Sequence, residues 1–138
     1  MTIMDDLTAF ITARLDEDEV IAKAAANRHW RTDDNIITLH PEHDGDGFMS
    51  WPTRADAQHA AHHDPARALR EIAAKRAIVT GHSWFSPTIG PNAGKPCCTR
   101  CGAGLDDVYL TEPWPCDDLR ILAAVWSDHP DYKQEWAL

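Results

Sequence analysis

Cys98-Thr99-Arg100-Cys101-Gly102 is the stretch on which the reading of this chain turns. Two cysteines separated by two residues can grip one metal ion because the backbone turns between them. A glycine after the second lets that turn close with a positive φ. Cys116 offers a third thiolate, which makes the spacing Cys-x2-Cys-x14-Cys. It follows Pro115 at the start of a helical pattern, where the macrodipole favours thiolate. His82, 16 residues before Cys98, is the first choice for a fourth ligand. Cys97 comes next, then water or a more distant histidine. Cys97 lacks the two-residue spacing to a partner and is taken as the spare thiol. A Cys3His set is a closed, structural zinc site with no position left for substrate; iron is the less common occupant.

Working outward, the segment that holds this knuckle is expected to need it. Pro87, Gly90, Pro91, Gly94 and Pro96 argue against long regular elements between His82 and Pro115. A loop-rich stretch with few apolar residues gains its order from a metal. Val108-Tyr109-Leu110 reads as a strand, and a last helix follows Cys116 with Leu119, Ile121, Leu122, Val125 and Trp126. The tail from Asp128 to Leu138 has room for one short turn. Zinc ribbons often grip nucleic acid, but residues 82–120 carry Lys95, Arg100 and Arg120 against Asp106, Asp107, Glu112, Asp117 and Asp118. That excess of acids disfavours phosphate binding.

Before His82 the pattern is helical. Asp5 or Asp6 can cap a first helix running to about Asn27, with Leu7, Phe10, Ile11, Leu15 and Ile21 near one face. Asp16-Glu17-Asp18-Glu19 falls on a solvated surface. Asp33-Asp34-Asn35 is a turn, Ile36-Ile37-Thr38-Leu39 a short β-branched strand, Pro41 to Gly47 a loop and Phe48-Met49-Ser50-Trp51 a return strand. Residues 53–62 read as a helix. Asp64-Pro65 then starts another, with Asp as N-cap and Pro at the first position. Its expected buried stripe is Ala68, Leu69, Ile72, Ala73 and Val79, its ion pair Glu71–Lys75, and its stop Gly81.

The expected fold is therefore α+β: mainly α, with three or four helices, a small β hairpin and a loop-rich zinc-knuckle segment. One domain is expected over 1–138, with 1–81 the helical part carrying the short β insertion and 82–138 the zinc-stapled segment and C-terminal helix. A chain of 138 residues with 43% hydrophobic and 25% charged content reads as globular. It has no apolar run of membrane-span length, and its acidic N-terminus is unlike a secretory signal. The chain is expected in the cytoplasm, where cysteines are metal ligands or free thiols before disulfides. A net charge of −9 favours a basic protein partner over nucleic acid.

Other constellations carry less. His59 and His63 are spaced i, i+4 on one helix face, and with Asp64 they invite a metal-dependent hydrolase; His62 lies between them. Asp64 already serves as N-cap, however, and no glutamate follows His59 as a zinc protease helix requires. Buried or interfacial structural histidines are expected instead. Glu42, Asp44, Asp46 and Gly47 fit the first half of a calcium loop, but Thr53 stands where its bidentate glutamate belongs. The six tryptophans are expected in the core or at its edge, with Trp84 and Trp114 shielding the metal.

Two segments carry a resemblance. They are His63-Asp64-Pro65-Ala66-Arg67-Ala68-Leu69-Arg70-Glu71-Ile72-Ala73-Ala74-Lys75-Arg76-Ala77-Ile78-Val79 and Asp128-His129-Pro130-Asp131-Tyr132. With Met4-Asp5-Asp6-Leu7-Thr8-Ala9-Phe10-Ile11, His59, His82, the Cys-x-x-Cys and Pro115-Cys116, they resemble a domain-of-unknown-function family of actinobacteria and their bacteriophages. The resemblance implies a small bacterial or phage protein without assigned chemistry. Cys97 beside Cys98 departs from that pattern and leaves open which thiolate binds.

The function expected from all this is a small, zinc-stabilised, non-enzymatic protein that binds a protein partner, in a phage setting a host protein. The alternatives are a hydrolase built on His59, His63 and Asp64, and an acidic nucleic-acid mimic.

Overall fold

The computed structural model describes residues 3–25, 29–38, 48–105 and 108–138. In chain order the elements are α1 (Ile3–Ala24), β1 (Arg31–Asp33), β2 (Ile36–Thr38), β3 (Phe48–Ser50), α2 (Arg54–His62), α3 (Pro65–Gly81), β4 (Trp84–Phe85), β5 (Cys97–Leu105), β6 (Val108–Pro113) and α4 (Asp117–Ala123). Short 3-10 turns follow at Ala124–Trp126 and Gln134–Trp136. The fold is α+β, with four α-helices and two small antiparallel sheets among the described residues. None of these helices is long and apolar enough to cross a membrane. The chain divides into two compact units, Asp16–Ala74 and Met1–Leu15 with Lys75–Leu138.

In the 16–74 unit a three-stranded sheet runs in the order β1-β2-β3. Asp33 pairs with Ile36 across the two-residue turn Asp34-Asn35, and Asp34 takes the left-handed φ of 53° that such a tight hairpin needs. The expected hairpin thus has a third strand, Arg31–Asp33. It is wholly exposed and holds no apolar residue, so it gives no alternating hydrophobic signal and owes its form to pairing with β2. Ile37 and Ala57 are fully buried, the one on β2 and the other on α2. Thr53 caps α2 by accepting from the Asp56 amide at 3.1 Å while its hydroxyl donates to the Asp56 carboxylate at 2.7 Å. Asp64 caps α3 as expected, accepting from the Arg67 amide at 2.8 Å. Leu39 and the Pro41 to Gly47 loop, with the acids weighed for calcium, lie outside the described residues.

Four expectations for the helices need correction. α1 begins at Ile3, so Asp5 and Asp6 lie inside it rather than capping it. Ile21 is 65% exposed while Ala22 is buried, because the stripe of Leu7, Ile11 and Leu15 continues seven residues on at 22. In α3 only Ile72 of the expected stripe is fully buried and Ala73 is exposed. Glu71 pairs with Arg67 at 2.7 Å, one turn before it, and Lys75 lies over the Trp126 ring at 5.3 Å.

In the other unit Leu7, Phe10, Ile11 and Leu15 from α1 are buried, with Leu119 and Ala123 from α4 and Trp136 from the tail. Phe10 meets the rings of His129, Tyr132 and Trp136 at 5.8, 6.0 and 5.1 Å. Arg14 donates to the His129 ring, and Lys133 donates to Asp6 at 2.6 Å. The Asp128-His129-Pro130-Asp131-Tyr132 segment is thus a fastening of the chain end onto α1.

The second sheet runs β4-β5-β6. Here the expectation of a segment without long regular elements is overturned, for β5 is nine residues long. Cys97 pairs with Pro113 and Gly102 with Thr111, so five steps along β5 face two along β6. The extra backbone between them breaks the register as an irregular bulge, and it contains the cysteine knuckle. Gly102 closes it with φ 130°, as the sequence predicts.

Candidate metal centre

Four side chains converge at this bulge, each brought by a different device. His82 directly follows α3, where its amide donates to the Val79 carbonyl at 3.2 Å and its ring is buried. Cys98 and Cys101 stand at the two ends of the knuckle on β5, and Cys98 faces Trp84 across the β4 pairing. Cys116 is the N-cap residue of α4. Its carbonyl receives the Arg120 amide at 3.1 Å, while the Asp117 amide donates to Glu112 at the end of β6.

The His82 Nδ1 lies 3.5 Å from Cys98 Sγ, 3.4 Å from Cys101 Sγ and 3.4 Å from Cys116 Sγ. One ring nitrogen has a single in-plane lobe and serves one hydrogen bond. Three sulfurs at one distance from it are therefore not three hydrogen bonds. All four donor atoms lie within 4.8 Å of one another, close enough to hold one metal ion. Zinc–sulfur bonds of about 2.3 Å and zinc–nitrogen bonds of about 2.0–2.1 Å at tetrahedral angles set nitrogen and sulfur about 3.6 Å apart. The observed spacings fit a shared central ion of that size. No disulfide competes, since all four cysteines are free.

The bulge also separates the two adjacent cysteines. Neighbouring residues on a strand point to opposite faces. Cys98 turns to His82, whereas Cys97 is fully buried elsewhere and its thiol donates to the Lys95 carbonyl at 3.6 Å. Cys97 thus stands apart from the cluster.

Burial pushes the Cys116 thiol up, against the lowering pull of the Leu119 amide. This reverses the expectation that the start of α4 would favour thiolate: desolvation outweighs the helix end. Burial and the neighbouring thiols likewise push Cys101 up. Metal binding to thiols releases their protons, so a cation has that raised proton affinity of Cys101 and Cys116 to overcome.

Asp118 is the participant that sequence reading missed. Its carboxylate lies 3.8 Å from His82 Nε2, the ring nitrogen turned away from the sulfurs, and accepts from Cys101 Sγ at 3.4 Å. Carboxylates in that place orient ligand histidines. The available signal was its position in the first turn of the helix that Cys116 opens. Beside the cluster is an open cavity of about 550 Å³, lined by Ile78, His82, Arg100, Asp118, Ile121 and Leu122.

The tryptophans divide. Trp114 is buried at 8% exposure, two residues before Cys116, but Trp84 is 43% exposed and gives the cluster little cover. A sequence comparison covers the chain almost end to end, for a family of unknown function, DUF6221, matches residues 4–138. The chain belongs to that family. DUF6221 membership spans both compact units and supplies no activity. Comparison with curated proteins gives no match, and comparison with solved structures gives none either.

His59, His62 and His63 are exposed, which removes the buried half of the buried-or-interfacial expectation, because they end α2 on its outer side. The rings of His59 and His63 stand 4.7 Å apart. Asp64 is not aimed at them: its carboxylate takes the amides of Arg67 at 2.8 Å and Trp30 at 3.3 Å.

Proposed function

We propose that the chain is a non-enzymatic binding protein whose 75–138 region is organised by one structural zinc ion on His82, Cys98, Cys101 and Cys116. The observation that carries this is the near-equal distance of one imidazole nitrogen from three sulfurs. Three thiolates and an imidazole fill a tetrahedron, so the ion keeps no vertex for substrate and acts as a cross-link among α3, β5 and α4. Four free cysteines suit a reducing compartment, which supports a site of action in the bacterial cytoplasm, or in the host if the protein is phage-encoded.

Its work is binding a protein partner of basic character. The support is the net charge of −9 and the outer face of α1, where Asp16 and Glu17 are exposed beside Val20 and Ile21, at 68% and 65% exposure. Exposed apolar residues within an acidic rim suit a protein surface better than a phosphate backbone.

Elemental analysis of the purified protein with its Cys98→Ser and Cys116→Ser variants tests the metal. One zinc per chain, lost in both variants together with the fold of 75–138, is expected. Full metal content in the variants would contradict the assignment. The partner reading predicts that a Glu17→Lys, Val20→Lys double variant keeps its zinc and loses any partner the wild type captures. Capture unchanged by that variant would remove α1 as the surface.

A further inference from the structure

Away from the zinc cluster, the end of α2 carries a second histidine arrangement with the spacing of ligands. His59 lies in the last turn of α2 and His63 is its C-cap residue, with its amide bonded back to the His59 carbonyl at 3.2 Å. This i, i+4 relation stacks two imidazoles over one turn of helix. Their ring centroids are 4.7 Å apart with the planes at 46°. His62 meets His63 edge-on, at 5.5 Å and 84°.

We propose that His59 and His63 form a second metal site, a surface chelate that takes a divalent first-row transition ion through two imidazole nitrogens. An ion held at about 2.0–2.1 Å from a ring nitrogen sits about 3.2 Å from the ring centroid, so two imidazoles sharing one ion at 90–110° have centroids about 4.5–5.2 Å apart. The observed separation falls inside that window. Imidazole donors suit zinc, copper and nickel ions. Both rings are exposed, so water completes the coordination, and no buried polar group is disturbed by binding. The Asp64 carboxylate remains on the Arg67 and Trp30 amides, which makes this a two-imidazole site and not the His-Asp centre of a hydrolase. It lies wholly within the 16–74 unit and stands or falls independently of His82 and the cysteines.

The test is a Ni²⁺ titration by equilibrium dialysis, on full-length protein whose resident metal has first been counted. One Ni²⁺ per chain beyond the resident ion is expected. His59→Ala and His63→Ala should each weaken it at least about tenfold, and His62→Ala should leave it within about twofold. The exposed positions allow all three variants to keep the wild-type circular dichroism. In NMR spectra the paramagnetic ion should broaden the ring signals of His59 and His63 first. Absence of extra binding, unchanged affinity in either variant of the pair, or equal weakening by His62→Ala would overturn the assignment.

Discussion

Residues 16–74 close around Ile37 and Ala57, with Thr53 and Asp64 capping the two helices that begin there. In the 75–138 region Leu119, Ala123 and Trp136 are also buried, but His82, Cys98, Cys101 and Cys116 converge there closely enough to hold a metal ion. The first arrangement rests on burial, which is non-directional and yields in steps as atoms are removed. On the proposed zinc reading the second rests in addition on four donor atoms at fixed distances, and a single lost donor opens the set. The regular signals of helix face and cap mark the first region. The second is marked by ligand spacing, and its strand is interrupted at the point where the ligands sit.

The sharpest way to break this contrast is to deny the site its proposed ion. Structural zinc contributes roughly 10–16 kcal/mol in small domains, as large as the ~5–15 kcal/mol that holds an ordinary domain folded. Chelation or Cys98→Ser should therefore abolish hydrogen-exchange protection along β5, β6 and α4 while β2 and α2 keep theirs. Equal loss in both regions would show that they do not differ in this way. Ile37→Ala probes the other side. It should cost about 2–5 kcal/mol in denaturant unfolding and leave the metal content unchanged.

Cys97→Ala sharpens the contrast within one strand. Cys97 is as buried as Cys98 but faces away from His82, so its loss should cost only about 1 kcal/mol and no metal. Metal loss in this variant would move the ligand assignment by one residue. The smallest expected effect is at the chain end. The hydrogen bond to Asp6 holds the Lys133 ammonium above its usual 10.5. A raised folded-state value means that the pair stabilises below that pH and that the contribution disappears as pH rises through the raised value. Lys133→Met should therefore melt slightly lower than wild type at neutral pH, with the gap closing under strongly alkaline conditions.

The sequence was most legible where local chemistry decides. Asp64-Pro65 and Gly81 bracket α3, Asp34-Asn35 makes the turn, and Cys-x-x-Cys-Gly gives the knuckle together with its positive φ. It was least legible where pairing decides. β1 has no apolar residue, and β5 contains a bulge that reads as loop until β6 is placed beside it. The histidines next to Asp64 read as buried or interfacial because their exposure depends on which side of α2 meets the sheet. Asp118 escaped notice because its place near His82 follows from the folding of α4 onto the knuckle.

Zinc K-edge X-ray absorption on the purified protein addresses the central claim directly. The account predicts one zinc per chain with three sulfur neighbours at about 2.3 Å and one nitrogen at about 2.0–2.1 Å. A shell dominated by oxygen, fewer than three sulfurs, or protein that folds fully without metal would contradict it.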